Sequence, residues 1–300
     1  MMKNQITIFC LTILLFGCNA TQSETKADII TTFYPLTEIT QNIVGPQTIV
    51  YTTIPQGTEP HDYEHTPQDI KSAQQASVFV TLGLEFTHIE KEIIESAPKS
   101  IIVIDAAKNI ALLDAIHEDE QETTEQSSGK DPHVWVSPKN MILMTKKVHE
   151  ELLIAHPENK ASYTENANAY LKKLQDLDQE FTESLSNCKK HTVLVNHAAF
   201  AYLAHDYGFE QIAISGLEPE AEPSPKQLAE LIEEAKKHDI KYIFYEDLVD
   251  PRVSQTIAEE AGAKTLELSP VEGITNPEDT YISIMRENLK NLEIALECTS

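Results

Sequence analysis

Short apolar runs rich in β-branched residues recur along the chain, separated by amphipathic stretches. In the first half they are DIITTF (28–33), QTIVYTTI (47–54), SVFVTLG (77–83) and SIIVID (100–105). Helix-like stretches at 35–44 and 66–75 lie between them. The second half repeats the alternation with HTVLVNH (191–197), EQIAIS (210–215), KYIFYED (241–247) and KTLELS (264–269). Continuously apolar strands that alternate with helices predict parallel sheets covered on both faces. The expected class is α/β, with two lobes, each a mainly parallel four-stranded sheet flanked by helices.

Between the halves runs a polar, amphipathic segment, 157–187, opened by Pro157 and free of later glycine or proline. It predicts one long rigid helix joining the lobes, roughly 45 Å for about 30 residues. Other helix starts are marked by TPQD (66–69), SPKN (137–140), SPKQ (224–227) and DPRV (250–253). Each places Ser, Thr or Asp at the N-cap and proline in the first turn, and Ser224 with Gln227 predicts a capping box. These starts end strand-to-helix loops, where open α/β sheets bind their ligands.

The N-terminus follows a different pattern. Lys3 precedes the apolar run ITIFCLTILLFG, too short to span a bilayer, which reads as a secretory signal. Gly17 stands before Cys18 as in a lipobox, so residues 1–17 are expected to be a lipoprotein signal peptide with Cys18 the lipidated residue. Residues 18–27 then form a polar tether. The remaining units are an N-terminal lobe (28–156), the linking helix (157–189) and a C-terminal lobe (190–300). Cys188 and Cys298 remain in an oxidising compartment, either paired or as two free thiols.

At 41% apolar and 24% charged the chain reads as globular. The net charge of −25 argues against nucleic acid and against anionic substrates. It either draws cations or serves solubility alone.

Eleven histidines are present. His88, His149, His156 and His238 fall on polar helical faces and read as solvated. His61 lies between Pro60 and Pro67, His133 between Pro132 and Pro138, and His197 ends an apolar strand. All three sit at or beside strand-to-helix junctions, two in the first lobe and one in the second. Three rigidly placed imidazoles facing one cleft point to a metal. His65 rivals His61 but abuts a helix cap.

With EPHDYEHTPQD, DPHVWVSP, NHAAFAYLAHDYG, GLEPEAEPSPKQL and FYEDLVDPRVSQTIAEEAGAKTLELSPVEG in this order, the chain resembles the zinc- and manganese-binding solute-binding lipoproteins of metal ABC importers. The resemblance implies one metal between two lobes, held by His61, His133, His197 and an acidic residue late in the second lobe. Glu272 in LSPVEG matches that position, with Glu246 and Asp247 as weaker candidates. Three nitrogens and one carboxylate oxygen favour Zn2+ over the harder Mn2+. Manganese relatives carry a carboxylate where His197 stands.

The implied protein is a lipid-anchored, extracytoplasmic monomer at the cell membrane that delivers Zn2+ to an ABC importer permease. Asp62, Glu64 and Asp131 are candidates to orient the imidazoles, and Trp135 and Phe200 to exclude solvent. The stretch 117–131 is acidic with one histidine, His117, and reads as a solvated loop rather than a zinc store. A zinc hydrolase using Glu272 as base is the rival, although no HExxH or GxSxG signature is present. A surface adhesin is a third reading.

Overall fold

A computed structural model of the protein describes residues 28–299 apart from 85, 97 and 116–128. The signal segment, Cys18, the tether, His117 and most of the acidic stretch lie outside the described residues.

The first sheet comprises β1 (Ile29–Thr31), β2 (Val50–Thr52), β3 (Val78–Thr81) and β4 (Ile102–Asp105). Its order is β2-β1-β3-β4, and every pair is parallel. Helices α1 (Tyr34–Val44), α2 (Pro67–Ala73) and α3 (His88–Ser96) make the crossovers. The central strands β1 and β3 are buried throughout, which is why they read as unbroken apolar runs.

After α4 (Pro138–Ala155) and α5 (Lys160–Ser184) comes the second sheet. It contains β5 (Thr192–His197), β6 (Glu210–Ser215), β7 (Tyr242–Tyr245) and β8 (Lys264–Glu267), with α6 (Ala201–Tyr207), α7 (Pro225–Lys237) and α8 (Arg252–Ala261) between them and α9 (Tyr281–Ala295) after. Its order, β6-β5-β7-β8, repeats that of the first sheet, and all pairs are again parallel. The expected class, two four-stranded parallel sheets flanked by helices and linked by a long helix, is the one observed.

Helix α5 has 25 residues, or about 38 Å at 1.5 Å each. Short 3-10 turns, Pro157–Asn159 and Leu185–Asn187, flank it, so the regular helix is shorter than the segment predicted for it. Tyr163, Ala167, Tyr170, Leu174, Leu177 and Phe181 form its buried stripe, at alternating spacings of about four and three. That stripe packs on α1 and α4 from one lobe and α9 from the other. Arg286 on α9 adds a bidentate pair to Glu180, at 2.6 and 2.8 Å.

One apolar cluster runs through both lobes and includes Phe33, Trp135, Tyr170, Phe181, Phe200 and Tyr281. Burying one such aromatic contributes roughly 1.5–3 kcal/mol. The lobes therefore share a core, and their seam resists shear. Beyond α5, Cys188 and Cys298 bring their sulfurs to disulfide distance, 1.96 Å.

Thr66 with Asp69, and Ser224 with Gln227, form capping boxes, and Ser137 caps α4. DPRV departs from the prediction. Pro251 occupies the N-cap position of α8, and Asp250 instead accepts from the Arg252 N–H at 3.0 Å. The short aspartate side chain reaches the amide two residues on, so the helix starts one residue late.

Candidate metal centre

The repeated strand order reverses direction between β1 and β3 and between β5 and β7, where loops at the carboxyl ends part and leave a crevice. Four such loops meet at the seam. His61 lies in 53–66, between β2 and α2. Gly57 turns this loop with φ 75, and Glu59 accepts the His61 N–H at 3.0 Å.

His133 precedes the 3-10 turn Val134–Val136 that leads into α4. Asp131 accepts from both its backbone N–H (2.9 Å) and its Nδ1–H (2.8 Å). Trp135 donates to the Pro270 carbonyl at 2.8 Å, and Tyr281 donates to the Trp135 carbonyl at 2.9 Å. His197 ends β5, and Glu246, directly after β7, accepts from its N–H (3.2 Å) and its Nδ1–H (2.7 Å). Glu272 follows β8. Its neighbour Val271 is fully buried with φ 58, a strained conformation for a β-branched residue.

His61, His133, His197 and Glu272 each offer one donor atom, and these atoms all lie within 4.8 Å of one another. The Nε2 of His133 is 3.3 Å from those of His61 and of His197. Glu272 Oε1 is 3.5 Å from the Nε2 of His61 and of His133, and 3.6 Å from that of His197. A tetrahedron with Zn–N bonds near 2.05 Å has edges of about 3.3 Å. These separations are those of a tetrahedral cage for a small divalent cation.

His133 and His197 are fully buried, and Glu272 is 2% exposed. Neither Glu272 oxygen is paired in a hydrogen bond with a described residue. A buried carboxylate without hydrogen bonds is costly unless a cation faces it. The donor set therefore fits a metal ion.

The same geometry perturbs the protonation equilibria. Burial alone would lower the His61 pKa, but the Glu272 charge and contacts to Glu218 and Glu272 raise it to about 10. His197 is also opposed by burial yet is raised well above the usual range by Glu246 and Glu272. Burial prevails at His133, which is lowered. Glu272 is held well below the carboxylate range, since the His61 and His197 charges outweigh its burial. Glu59 is raised to about 8 by burial and by the Glu272 charge.

All four residues expected as ligands come together. Glu246 is not among the converging donors; it orients His197 from behind. Asp247 and His65 also lie outside the cluster. His65 stands edge-on to Tyr63 at 4.7 Å, and burial lowers its pKa to about 4. Asp131 orients its imidazole as expected. Asp62 and Glu64 do not, since both face solvent on the loop. Trp135 and Phe200 both belong to the shared core, and the Trp135 ring centre lies 5.2 Å from that of His133.

Sequence reasoning missed Phe86, whose ring meets His61 edge-on at 4.8 Å, and Glu218, whose Oε2 is 3.5 Å from His61 Nδ1. It also missed Glu59, which a survey of acidic residues within two positions of each histidine would have found.

Two lobes pinned by a spine helix, with one enclosed cage of three imidazoles and a carboxylate at the seam, define a bilobal solute-binding architecture. The chain belongs to the ZnuA family, described as "Zinc-uptake complex component A periplasmic", whose sequence model matches residues 29–295. It is 35% identical over 320 residues to the zinc-binding protein AdcA of Streptococcus pyogenes serotype M1, a match covering 99% of this chain. The chain spans 62% of that relative's length.

Among solved structures it is similar to the Zn(II)-bound ZnuA-like domain of Streptococcus pneumoniae AdcA, with a TM-score of 0.78 and 37% identity. That match covers 91% of this chain and 99% of the domain. A mutant of the laminin-binding adhesin Lmb from Streptococcus agalactiae superposes with a TM-score of 0.80 at 30% identity, covering 90% of this chain and 99% of Lmb.

Proposed function

We propose that this chain captures Zn2+ outside the cytoplasm and delivers it to the permease of an ABC importer. The convergence of His61, His133, His197 and Glu272 within 4.8 Å carries this reading. In it, those four residues are the ligands, and the ion is cargo rather than a resident cofactor. Imidazole nitrogens favour Zn2+ over Mn2+, and family membership agrees. Four protein ligands complete a tetrahedron and leave no position for an activated water, so the chain acts as a receptor and not as a hydrolase.

The organisation proposed with this function is a signal peptide (1–17), a tether (18–27) lipidated at Cys18, lobes at 28–156 and 190–300, and a linking helix at 157–189. A Cys188–Cys298 disulfide, a monomeric state and anchorage at the cell membrane belong to the same proposal. The relatives' lipoprotein and zinc-uptake descriptions support the location.

Metal analysis and titration of the purified chain test the reading. One Zn2+ per chain is expected, lost in His197→Ala. Unchanged stoichiometric binding in that variant would remove His197 from the ligand set. A second reading, adhesion to laminin, is favoured by the likeness to Lmb. Binding to immobilised laminin tests it.

A further inference from the structure

A second cavity lies beside the cage, on the other face of the second sheet. Asn196 and His197 are neighbours on β5, so their side chains leave opposite faces of the strand. His197 turns to the cage, and Asn196 turns toward α8. The cavity there has a volume of about 350 Å³, within the range of small-molecule sites. Ile214, Leu228 and Val253 give it apolar surface.

One wall offers donors. Asn196 is 5% exposed, its Oδ1 accepts from the Ser254 hydroxyl at 3.3 Å, and its Nδ2 is buried without a partner among the described residues. A buried donor left unpaired is costly, and an acceptor in the cavity relieves it. The Ser254 contact sets this amide beside the first turn of α8, the end of a helix that favours negative charge. Arg252 lines the cavity from the same turn. Asp250 takes its Nε–H at 2.7 Å and leaves the terminal guanidinium nitrogens free among the described residues.

The facing wall is acidic. Glu220 and Glu222 line the cavity from the loop after β6, and neither meets a cationic side chain among the described residues. Ser215 donates to the Ala221 carbonyl at 2.9 Å, and Pro219 and Pro223 stiffen the loop. This loop leaves β6, whereas α8 follows β7, and β5 lies between those strands. Two strand spacings separate the walls, roughly 10 Å.

A simple anion would meet Glu220, Glu222 and Asp250. A simple cation would leave Asn196 Nδ2 and the Arg252 guanidinium unanswered. A free amino acid carries both charges on one carbon and cannot reach both walls. A dipeptide separates them by a further Cα–Cα step of about 3.8 Å. We infer that this cavity binds a short zwitterionic peptide, dipeptide in size and apolar in its side chains. Its carboxylate meets Asn196, Arg252 and the first turn of α8, and its ammonium meets Glu220 and Glu222. The site is separate from the cage, so the inference goes beyond the zinc reading and does not rest on it.

Calorimetric titration of the purified full chain with alanyl-leucine tests this. Saturable binding of one molecule per chain is expected, with a Kd below about 1 mM. N-acetyl-alanyl-leucine, which lacks the ammonium, and alanyl-leucinamide, which lacks the carboxylate, should each bind at least about tenfold more weakly, as should free leucine. Asn196→Asp should weaken alanyl-leucine binding about 10- to 100-fold. The double variant Glu220→Gln/Glu222→Gln changes only exposed side chains, so it should keep the wild-type melting temperature and lose about tenfold in affinity.

No binding of alanyl-leucine up to about 10 mM would overturn the inference. Equal binding of either blocked peptide would overturn it by removing the need for both charges. Equal binding of free leucine would overturn the span between the walls. Wild-type affinity in the folded Glu220→Gln/Glu222→Gln variant would overturn the assignment of the acidic wall. None of these results bears on zinc binding at the cage.

Discussion

His133 and His197 come from different lobes, yet their Nε2 atoms stand 3.3 Å apart, each ring backed at Nδ1 by a buried carboxylate. Asp131 and Glu246 use the same oxygen to hold ring and backbone N–H together, so ring orientation is tied to the main chain. Asp131→Asn and Glu246→Gln keep the shape and remove the charge. Each should weaken zinc binding by about 10- to 100-fold while one ion still binds. Competition titration against a chelator of known affinity checks this. Unchanged affinity would show that these carboxylates do not tune the imidazoles.

The core of this cage was legible because its determinants are local. Prolines flank His61 and His133, and His197 ends an apolar strand, so each histidine announces a fixed position by itself. The two sheets were legible because their central strands are apolar on both faces. Glu218 and Phe86 were not legible, since they meet His61 only after distant segments pack. Asp62 and Glu64 mislead for the converse reason. They are close in sequence, but an irregular loop turns them to water. The late start of α8 depends on one side-chain contact, Asp250 to the Arg252 N–H, that spacing alone does not foretell.

Proton release should accompany zinc binding. His61, with its pKa raised to about 10, and His197, raised well above the usual range, both hold a proton at pH 7 before the ion arrives. His133 is lowered by burial and contributes none. Zinc needs neutral imidazoles, so about two protons should leave per ion at pH 7. Affinity should rise with pH from 6 through 8. Calorimetry in buffers of different ionisation enthalpy counts the protons directly, and a value near zero would contradict the assignment.

The same shifts govern the metal-free fold. A raised histidine pKa stabilises the folded state fully below the unfolded value of about 6.5, and that contribution fades as pH rises toward the folded value. The depressed Glu272 contributes above its unfolded pKa and is lost as pH falls through its folded one. Metal-free stability should therefore peak between these limits and decline toward pH 10, as urea melts across that range will show.

The Cys188–Cys298 bridge closes a sequence separation of 110 residues and ties the end of α5 to the segment after α9. Cross-linking a loop of that length restricts the unfolded chain, and removing such a bridge costs about 2–5 kcal/mol. Cys188 precedes β5 while His197 ends it, so the bridge lies at the opposite end of that strand from the cage. Stability and zinc binding should therefore separate. The double variant Cys188→Ala/Cys298→Ala should unfold at lower temperature and lower urea concentration, yet bind one zinc with wild-type affinity while folded. Melts and zinc titrations on the same preparation check both halves. A loss of affinity matching the loss of stability would mean that the bridge, rather than the shared core and α5, sets the geometry of the cage.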